Sequence, residues 1–139
     1  MIFFGLVYKM KINYQKMLDD KIEEIKKQNI KPSLLLHACC APCSSAVLEY
    51  LYEHFNITLF FYNPNISPES EFNYRLEELK RLVAEMNFNN IEIVVPDYDN
   101  NEFEELAKGL ENLPEGDKRC KKMYNYLTTQ MQIAATKMH

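Results

Sequence analysis

Three short apolar runs, separated by longer amphipathic segments, constrain the fold of this chain more than any other sequence feature. The runs lie within residues 33–37, 57–62 and 91–95, and each is followed by cysteines or by a proline within two residues. Short runs rich in aliphatic, β-branched and aromatic residues are typical of buried strands. Strands that alternate with helices predict right-handed crossovers and a parallel sheet, so the sequence favours a single α/β domain.

The segments before, between and after these runs predict five helices, because their apolar residues recur every three or four positions. The first begins near Tyr14 and is ended by Asn29 and Pro32, and the others cover about 44–55, 68–86, 101–108 and 118 onward. The side chains predicted to face the core from the second, third and last helices are Val47, Leu51 and Phe55, then Phe72, Leu76, Leu79, Val83 and Met86, then Met123, Leu127, Met131, Ala134 and Met138.

Composition bounds the class of protein. The chain has 139 residues, of which 47% are hydrophobic, and this suffices to fill the core of one domain. The net charge of −4 gives no overall signature of a nucleic-acid binder. A local basic patch can still contact phosphates, and Lys118, Lys121 and Lys122 cluster around Arg119.

The apolar start of the chain is too short to span a bilayer and lacks the basic residues and cleavage site of a secretory signal. We therefore expect residues 1–11 to be an N-terminal extension, residues 12–139 to form a single, incomplete domain, and the protein to be cytoplasmic.

Four cysteines carry the strongest chemical signal. Cys39, Cys40 and Cys43 lie within five positions, directly after the first predicted strand and before the second helix. Ligands of open α/β sheets collect beyond the carboxyl ends of the strands. The backbone N–H groups and the positive dipole end of a helix start also stabilise thiolates. The cysteine loop is therefore placed for metal binding or for redox chemistry.

Three interpretations of the cysteine loop remain open at this point. Cysteines are often buried simply as small hydrophobic residues, although three so close together make this interpretation weak. A thioredoxin-like dithiol would use Cys40-Ala41-Pro42-Cys43 at a helix start, but it leaves Cys39 without a role. A metal centre would use several of these thiols with Cys120 as the distant ligand, and both iron–sulfur clusters and zinc accept such ligands.

The order of several motifs resembles the cobalamin-independent epoxyqueuosine reductases. The resemblance begins with His37-Ala38-Cys39-Cys40-Ala41-Pro42-Cys43-Ser44-Ser45 and continues with Phe60-Phe61-Tyr62-Asn63-Pro64-Asn65-Ile66-Ser67-Pro68. It resumes with Tyr74-Arg75, Ala107-Lys108-Gly109-Leu110-Glu111, Pro114-Glu115-Gly116 and Arg119-Cys120. These blocks keep their order from about residue 12 to residue 138.

The resemblance implies both a fold and a reaction. The fold would be akin to the adenine-nucleotide α-hydrolase (HUP-like) domains, with a parallel sheet, helices on both faces and cysteines in place of the nucleotide loop. The reaction would be reduction of epoxyqueuosine to queuosine at the wobble position of tRNA. Its cofactor would be an iron–sulfur centre, commonly [4Fe-4S], with an additional iron as an option. The partners would be the tRNA substrate and an unidentified electron donor.

Cys39, Cys40 and Cys120 are the predicted ligands of this centre, with Cys43 or Asp117 as a substitute for a missing fourth ligand. A proton donor must protonate the leaving oxygen, and the candidates are His37, Asp117 and Glu115. The catalytic candidates as a set are His37, Asp117 and Cys43. Asn63, Asn65, Tyr74 and Arg75 are candidates for the lining of the nucleoside pocket, and the alternative is that they cap elements or pair with Glu77 or Glu78. Tyr62, at a strand end, is either a stacking ring for a base or a core residue.

The chain departs from the family pattern in two places. Family members continue Arg-Cys-x-x-Cys-Tyr, whereas this chain reads Arg119-Cys120-Lys121-Lys122-Met123-Tyr124. Met123 therefore stands where the fourth cluster cysteine is expected, and a thioether is a poorer ligand for iron. Family members also continue beyond the position that corresponds to His139. A truncated or inactive paralogue that retains metal or tRNA binding is thus an alternative to a working reductase.

Overall fold

Helices and strands alternate along the chain as the apolar pattern predicts. The computed structural model describes residues 12–88 and 90–138, so the predicted N-terminal extension 1–11 lies outside the described residues. The elements in chain order are α1 (Tyr14–Gln28), β1 (Ser33–His37), α2 (Ala41–Leu51), β2 (Asn56–Phe60), α3 (Glu69–Glu85), β3 (Glu92–Val94), α4 (Asn100–Ala107) and α5 (Lys118–Lys137).

The three strands form one parallel sheet in the order β1-β2-β3. His37 at the end of β1 lies opposite Phe60 at the end of β2, and Phe60 lies opposite Val94 at the end of β3. The carboxyl ends of all three strands therefore meet at one edge, where the cysteine loop leaves β1. This arrangement confirms the predicted α/β class.

Alternate residues of each strand face opposite layers of helices, as the two-residue period of a strand requires. On one face of the sheet, Leu36, Leu59 and Ile93 pack into a core that also contains side chains of α1, α2 and α3. On the other face, Phe60 packs with Leu127 of α5. Helices therefore cover both faces, as predicted, while the likeness to adenine-nucleotide α-hydrolase domains stays a prediction. Among the described residues, no helix is long and apolar enough to cross a membrane.

Two predictions about the buried sides of helices are wrong. Val47 is 41% exposed, because α2 buries Ser44, Leu48 and Leu51 instead, and a residue one position before Leu48 points about 100° away from that stripe. Met138 is 47% exposed. The 20 residues of α5 span about 30 Å, so the helix extends well past a sheet whose strands have three to five residues. Only Leu127 is buried among the described residues of α5.

Leu48 provides a test of this packing, because its side chain is fully buried between α2 and the sheet. We expect Leu48→Ala to lower the free energy of unfolding by about 2–5 kcal/mol, through lost burial and the cavity that remains. The adjacent Val47→Ala should change it by no more than about 0.5 kcal/mol. Urea denaturation of both variants measures the difference, and equal losses would contradict the assigned face of α2.

Candidate metal centre and its two cavities

The cysteine loop is held in place by backbone and side-chain hydrogen bonds at its base. Ala38 is buried, and its N–H donates to the carbonyl oxygen of Phe60 at 3.1 Å. The side-chain amide of Asn63, itself only 2% exposed, donates to the carbonyl oxygen of Ala38 at 2.9 Å. Ser44 in the first turn of α2 donates from its hydroxyl to the carbonyl oxygen of Cys40 at 2.8 Å. Both ends of the loop are therefore fixed, and its sulfur atoms point away from the core.

Three thiols converge at this loop. The Sγ atoms of Cys39, Cys40 and Cys43 all lie within 4.8 Å of one another, and those of Cys39 and Cys40 are 3.8 Å apart. Two thiolates on one tetrahedral metal ion, each with a metal–sulfur bond of about 2.3 Å, would be separated by about 3.8 Å. The thiol group therefore fits a thiophilic metal, a class that includes zinc, copper(I) and the iron of iron–sulfur clusters.

The three thiols differ in acidity because they share hydrogen bonds. The Cys43 thiol lowers the pKa of Cys40 by hydrogen bonding to its sulfur, and the same bond raises the pKa of Cys43. The protein around Cys39 withholds water from its sulfur atom, which raises the pKa of that thiol to about 11. Cys40 is therefore the thiol that deprotonates first as the pH rises.

The fourth cysteine lies across a cavity from the loop. Cys120 is half-buried in the first turn of α5, and the N–H of Gly116 donates to its Sγ at 3.2 Å. Gly116 has a φ of +85°, a conformation that favours glycine and that turns the chain into α5. Cys120 and Cys39 both line a cavity of about 430 Å³, although Cys120 is not part of the three-thiol group. We call this space the substrate-side cavity.

The candidate acids occupy different positions around the substrate-side cavity. His37 lines it, but burial lowers the pKa of its imidazole, and its Nε2 lies 3.0 Å from the carbonyl oxygen of Tyr62. A neutral imidazole donates from Nε2 to that carbonyl, so His37 is anchored at the strand end. Asp117 caps α5 by accepting from the N–H of Lys118 at 2.7 Å and is not among the lining residues. Glu115 is exposed and lines the cavity.

The predicted nucleoside-pocket residues are divided between two spaces. Asn63 and Asn65 line the substrate-side cavity. Tyr74 and Arg75 instead line a second cleft of about 400 Å³, on the Cys40 side of the loop. These four residues therefore do not form one pocket, because the cysteine loop lies between the two groups. We call the second space the helix cleft.

Tyr62 is a core residue and not a stacking ring for a base, so the second of the two interpretations is confirmed. Its side chain is only 6% exposed, and its hydroxyl donates to the Glu102 carboxylate, which also accepts from Tyr126 at 3.1 Å. This network joins the sheet to α4 and α5. The role of Glu102 was not predicted, because nothing nearby in the sequence links it to Tyr62. Phe103 and Tyr124, which line the substrate-side cavity, were missed as lining residues for the same reason.

Part of the predicted basic patch has a structural role. Arg119 donates from Nη1 to the carbonyl oxygen of Glu111 at 3.0 Å, and Lys122 donates from Nζ to that of Leu106 at 3.2 Å. These bonds hold the end of α4 and the following turns against α5. Arg119 also lines the substrate-side cavity.

Comparison with known proteins shows the family to which this chain belongs. The profile of the family described as Epoxyqueuosine reductase QueH matches residues 34–139. The chain belongs to the QueH family. It is 38% identical to the Epoxyqueuosine reductase QueH of Streptococcus pyogenes serotype M1 over 119 residues, which cover 84% of this chain and 47% of that protein.

Two other relatives carry the same name. The Acinetobacter baylyi protein is 44% identical over 98 residues, covering 70% of this chain and 44% of the relative. The Staphylococcus epidermidis protein is 38% identical over 117 residues, covering 79% of this chain and 48% of the relative. The chain therefore spans about half the length of the curated relatives it matches.

The order of thiol acidity can be tested in the metal-free protein. We expect iodoacetamide to modify Cys40 at a lower pH than Cys39, since the thiolate is the nucleophile and Cys39 has a pKa of about 11. Cys43→Ala removes the hydrogen-bond donor and should move the reaction of Cys40 to higher pH, whereas Cys43→Ser retains a donor and should move it less. Peptide mass spectrometry across a pH series locates the label. Equal onset at Cys39 and Cys40 would contradict the hydrogen-bond arrangement.

Proposed function

We propose that this chain takes part in the reduction of epoxyqueuosine to queuosine at the wobble position of tRNA, using an iron–sulfur centre held by Cys39, Cys40 and Cys120. The observation that carries the proposal is the position of Cys39, which belongs to the three-thiol group and lines the same cavity as Cys120. Membership of the QueH family supplies the reaction, because the relatives are named epoxyqueuosine reductases. A tRNA substrate fits a cytoplasmic protein.

The proposed centre is a [4Fe-4S] cluster, with one further iron beside the cluster as an option. Four thiolates commonly hold such a cluster. Cys43 is the nearest further thiol, since its Sγ lies within 4.8 Å of those of Cys39 and Cys40. When bound, an iron–sulfur centre supplies electrons one at a time and a Lewis-acidic iron for an oxygen ligand.

The protein residues around the cavity would position the nucleoside and deliver protons. Conversion of the epoxide to the alkene takes up two electrons and two protons and releases water. An unidentified donor supplies the electrons. Glu115 is the proposed proton donor, because it lines the cavity, whereas the Nε2 proton of His37 is engaged by Tyr62 and the Asp117 carboxylate caps α5. Asn65, which is exposed within the same cavity, would bind polar groups of the nucleoside.

A second candidate function follows from Met123, which lines the substrate-side cavity three residues after Cys120. This position carries a cysteine in the family pattern, and a thioether is a weaker ligand for iron. The chain would then be a catalytically impaired paralogue that keeps metal or tRNA binding. A thioredoxin-like dithiol is less favoured, because the three described strands are all parallel and no closing hairpin is present in residues 12–88 and 90–138.

An assay of turnover separates these functions. Protein reconstituted anaerobically with iron and sulfide is supplied with a chemical reductant and with tRNA that carries epoxyqueuosine. We expect wild type to form queuosine, measured by mass spectrometry of the nucleosides, and Cys39→Ala to form at least a hundredfold less, because removing one thiolate ligand disrupts the centre. Val47→Ala, on the exposed side of α2, serves as the control. Absence of queuosine with wild type, while tRNA and iron still bind, would favour the impaired paralogue.

A further inference from the structure

Apart from Cys40, no residue of the helix cleft has a role in the reaction proposed above. It lies between the start of α2 and the exposed side of α3, and Cys40 forms part of its wall. We propose that the helix cleft binds a nucleotide adjacent to the modified nucleoside in the same RNA strand, with its base on Tyr74 and its phosphate at Arg75. This inference rests on the proposed function, because it assumes that RNA is the substrate.

The spacing of α3 residues forms one continuous wall of the cleft. Tyr74, Arg75, Glu78 and Arg81 recur at intervals of one, three and three, so they follow one side of the helix. The opposite wall is formed by Ala41 and other residues at the start of α2, and it is largely apolar. The α3 wall is polar and carries both charges, because Arg75 is paired with Glu71 and Arg81 with Glu78. A cleft with this wall and an apolar wall suits a ligand that combines a flat ring with a group that accepts hydrogen bonds from Arg75.

Tyr74 provides the flat surface. Its side chain is 62% exposed, and it stacks on no other aromatic ring within residues 12–88 and 90–138. Single-stranded nucleic acids bind proteins by stacking successive bases on such rings, with little dependence on sequence. An exposed tyrosine beside the metal-binding loop is therefore placed for a base rather than for the core.

Arg75 provides the cation in a fixed orientation. Its Nε donates to Oε1 of Glu71 at 2.6 Å, which holds the guanidinium beside the cleft. Its two terminal amino groups donate no hydrogen bond within the described part of the chain. Arginine pairs with phosphate through such a planar pair of N–H groups, so Arg75 can keep Glu71 and accept a phosphate as well.

The substrate-side cavity and the helix cleft are adjacent, because consecutive residues of the cysteine loop line them. Cys39 lines the substrate-side cavity, and Cys40 lines the helix cleft. A nucleoside held beside Cys39 is covalently joined to its neighbours in the strand. The neighbouring nucleotide must therefore lie close to the cysteine loop, and the helix cleft is the second concave surface that borders this loop.

RNA affinity tests the inference without requiring turnover. Fluorescence anisotropy measures binding of the full chain to a labelled RNA hairpin whose single-stranded loop carries the anticodon sequence. We expect Tyr74→Ala to weaken binding by roughly five- to 150-fold, the range for loss of one stacked base, and Tyr74→Phe to retain most of the affinity. Tyr14→Ala is the matched control, because Tyr14 is 72% exposed on α1 and lines neither space.

Salt dependence tests the phosphate contact separately. We expect Arg75→Gln to reduce the slope of log affinity against log salt concentration by about 0.7, the value for one phosphate of a single strand. Tyr74→Ala should leave that slope unchanged, because a stacked base releases no counterion.

Two results would overturn the assignment of the helix cleft. One is equal affinity of the Tyr74→Ala and Tyr14→Ala variants for the hairpin, with both variants folded as judged by circular dichroism. The other is absence of measurable RNA binding by wild type. A wild type whose binding depends on Tyr74 but which forms no queuosine would refute the proposed reductase activity alone, so the two failures are distinguishable.

Discussion

The hydrogen bonds of one peptide segment, at Ala38, determine where the thiols of this protein lie. Its N–H donates to the end of β2, and its carbonyl oxygen accepts from the buried side chain of Asn63. A buried amide without a partner costs free energy comparable to a lost hydrogen bond, so Asn63 and Ala38 hold each other in place. The next residue, Cys39, must then leave the sheet edge, and Pro42 and Ser44 start α2 immediately afterwards.

The fixed position of Ala38 explains why the adjacent residues Cys39 and Cys40 line different spaces. Cys39 and Cys40 follow an extended strand, and the extended backbone of Cys40 at the cap of α2 turns successive side chains to opposite sides. One thiol lines the substrate-side cavity and the next lines the helix cleft, while the Sγ of Cys43, in the first turn of α2, lies within 4.8 Å of both of these sulfur atoms. The cysteine loop thus separates the two spaces, and a metal centre bound at its thiols would be accessible from both of them.

Most helices and strands could be predicted from the period of the apolar residues. The division of the site into a substrate-side cavity and a helix cleft could not. The bounds of β1 were predicted without error, and those of α3 within one residue at each end, because a run of three leucines in β1 and a long stripe including Phe72, Leu76 and Leu79 in α3 leave few alternatives. The start of α2 was placed three residues late, since cysteines have no strong preference for loop or helix. The separation of Tyr74 from Asn63 depends on how α3 crosses the sheet. Sequence distance carries no information about that crossing, and the Tyr62–Glu102 contact was hidden for the same reason.

The central claim is that the cysteine loop and Cys120 together hold an iron–sulfur centre, and the metal content after anaerobic reconstitution tests it most directly. The account predicts about four iron and four sulfide per wild-type chain, with a broad absorbance band that is lost in Cys39→Ala and weakened in Cys120→Ser. Met123→Cys, which adds a thiol to the lining of the same cavity, should slow the loss of iron to a chelator relative to wild type. A wild type that binds no iron, or a Cys39→Ala variant with the same iron content as wild type, would contradict it.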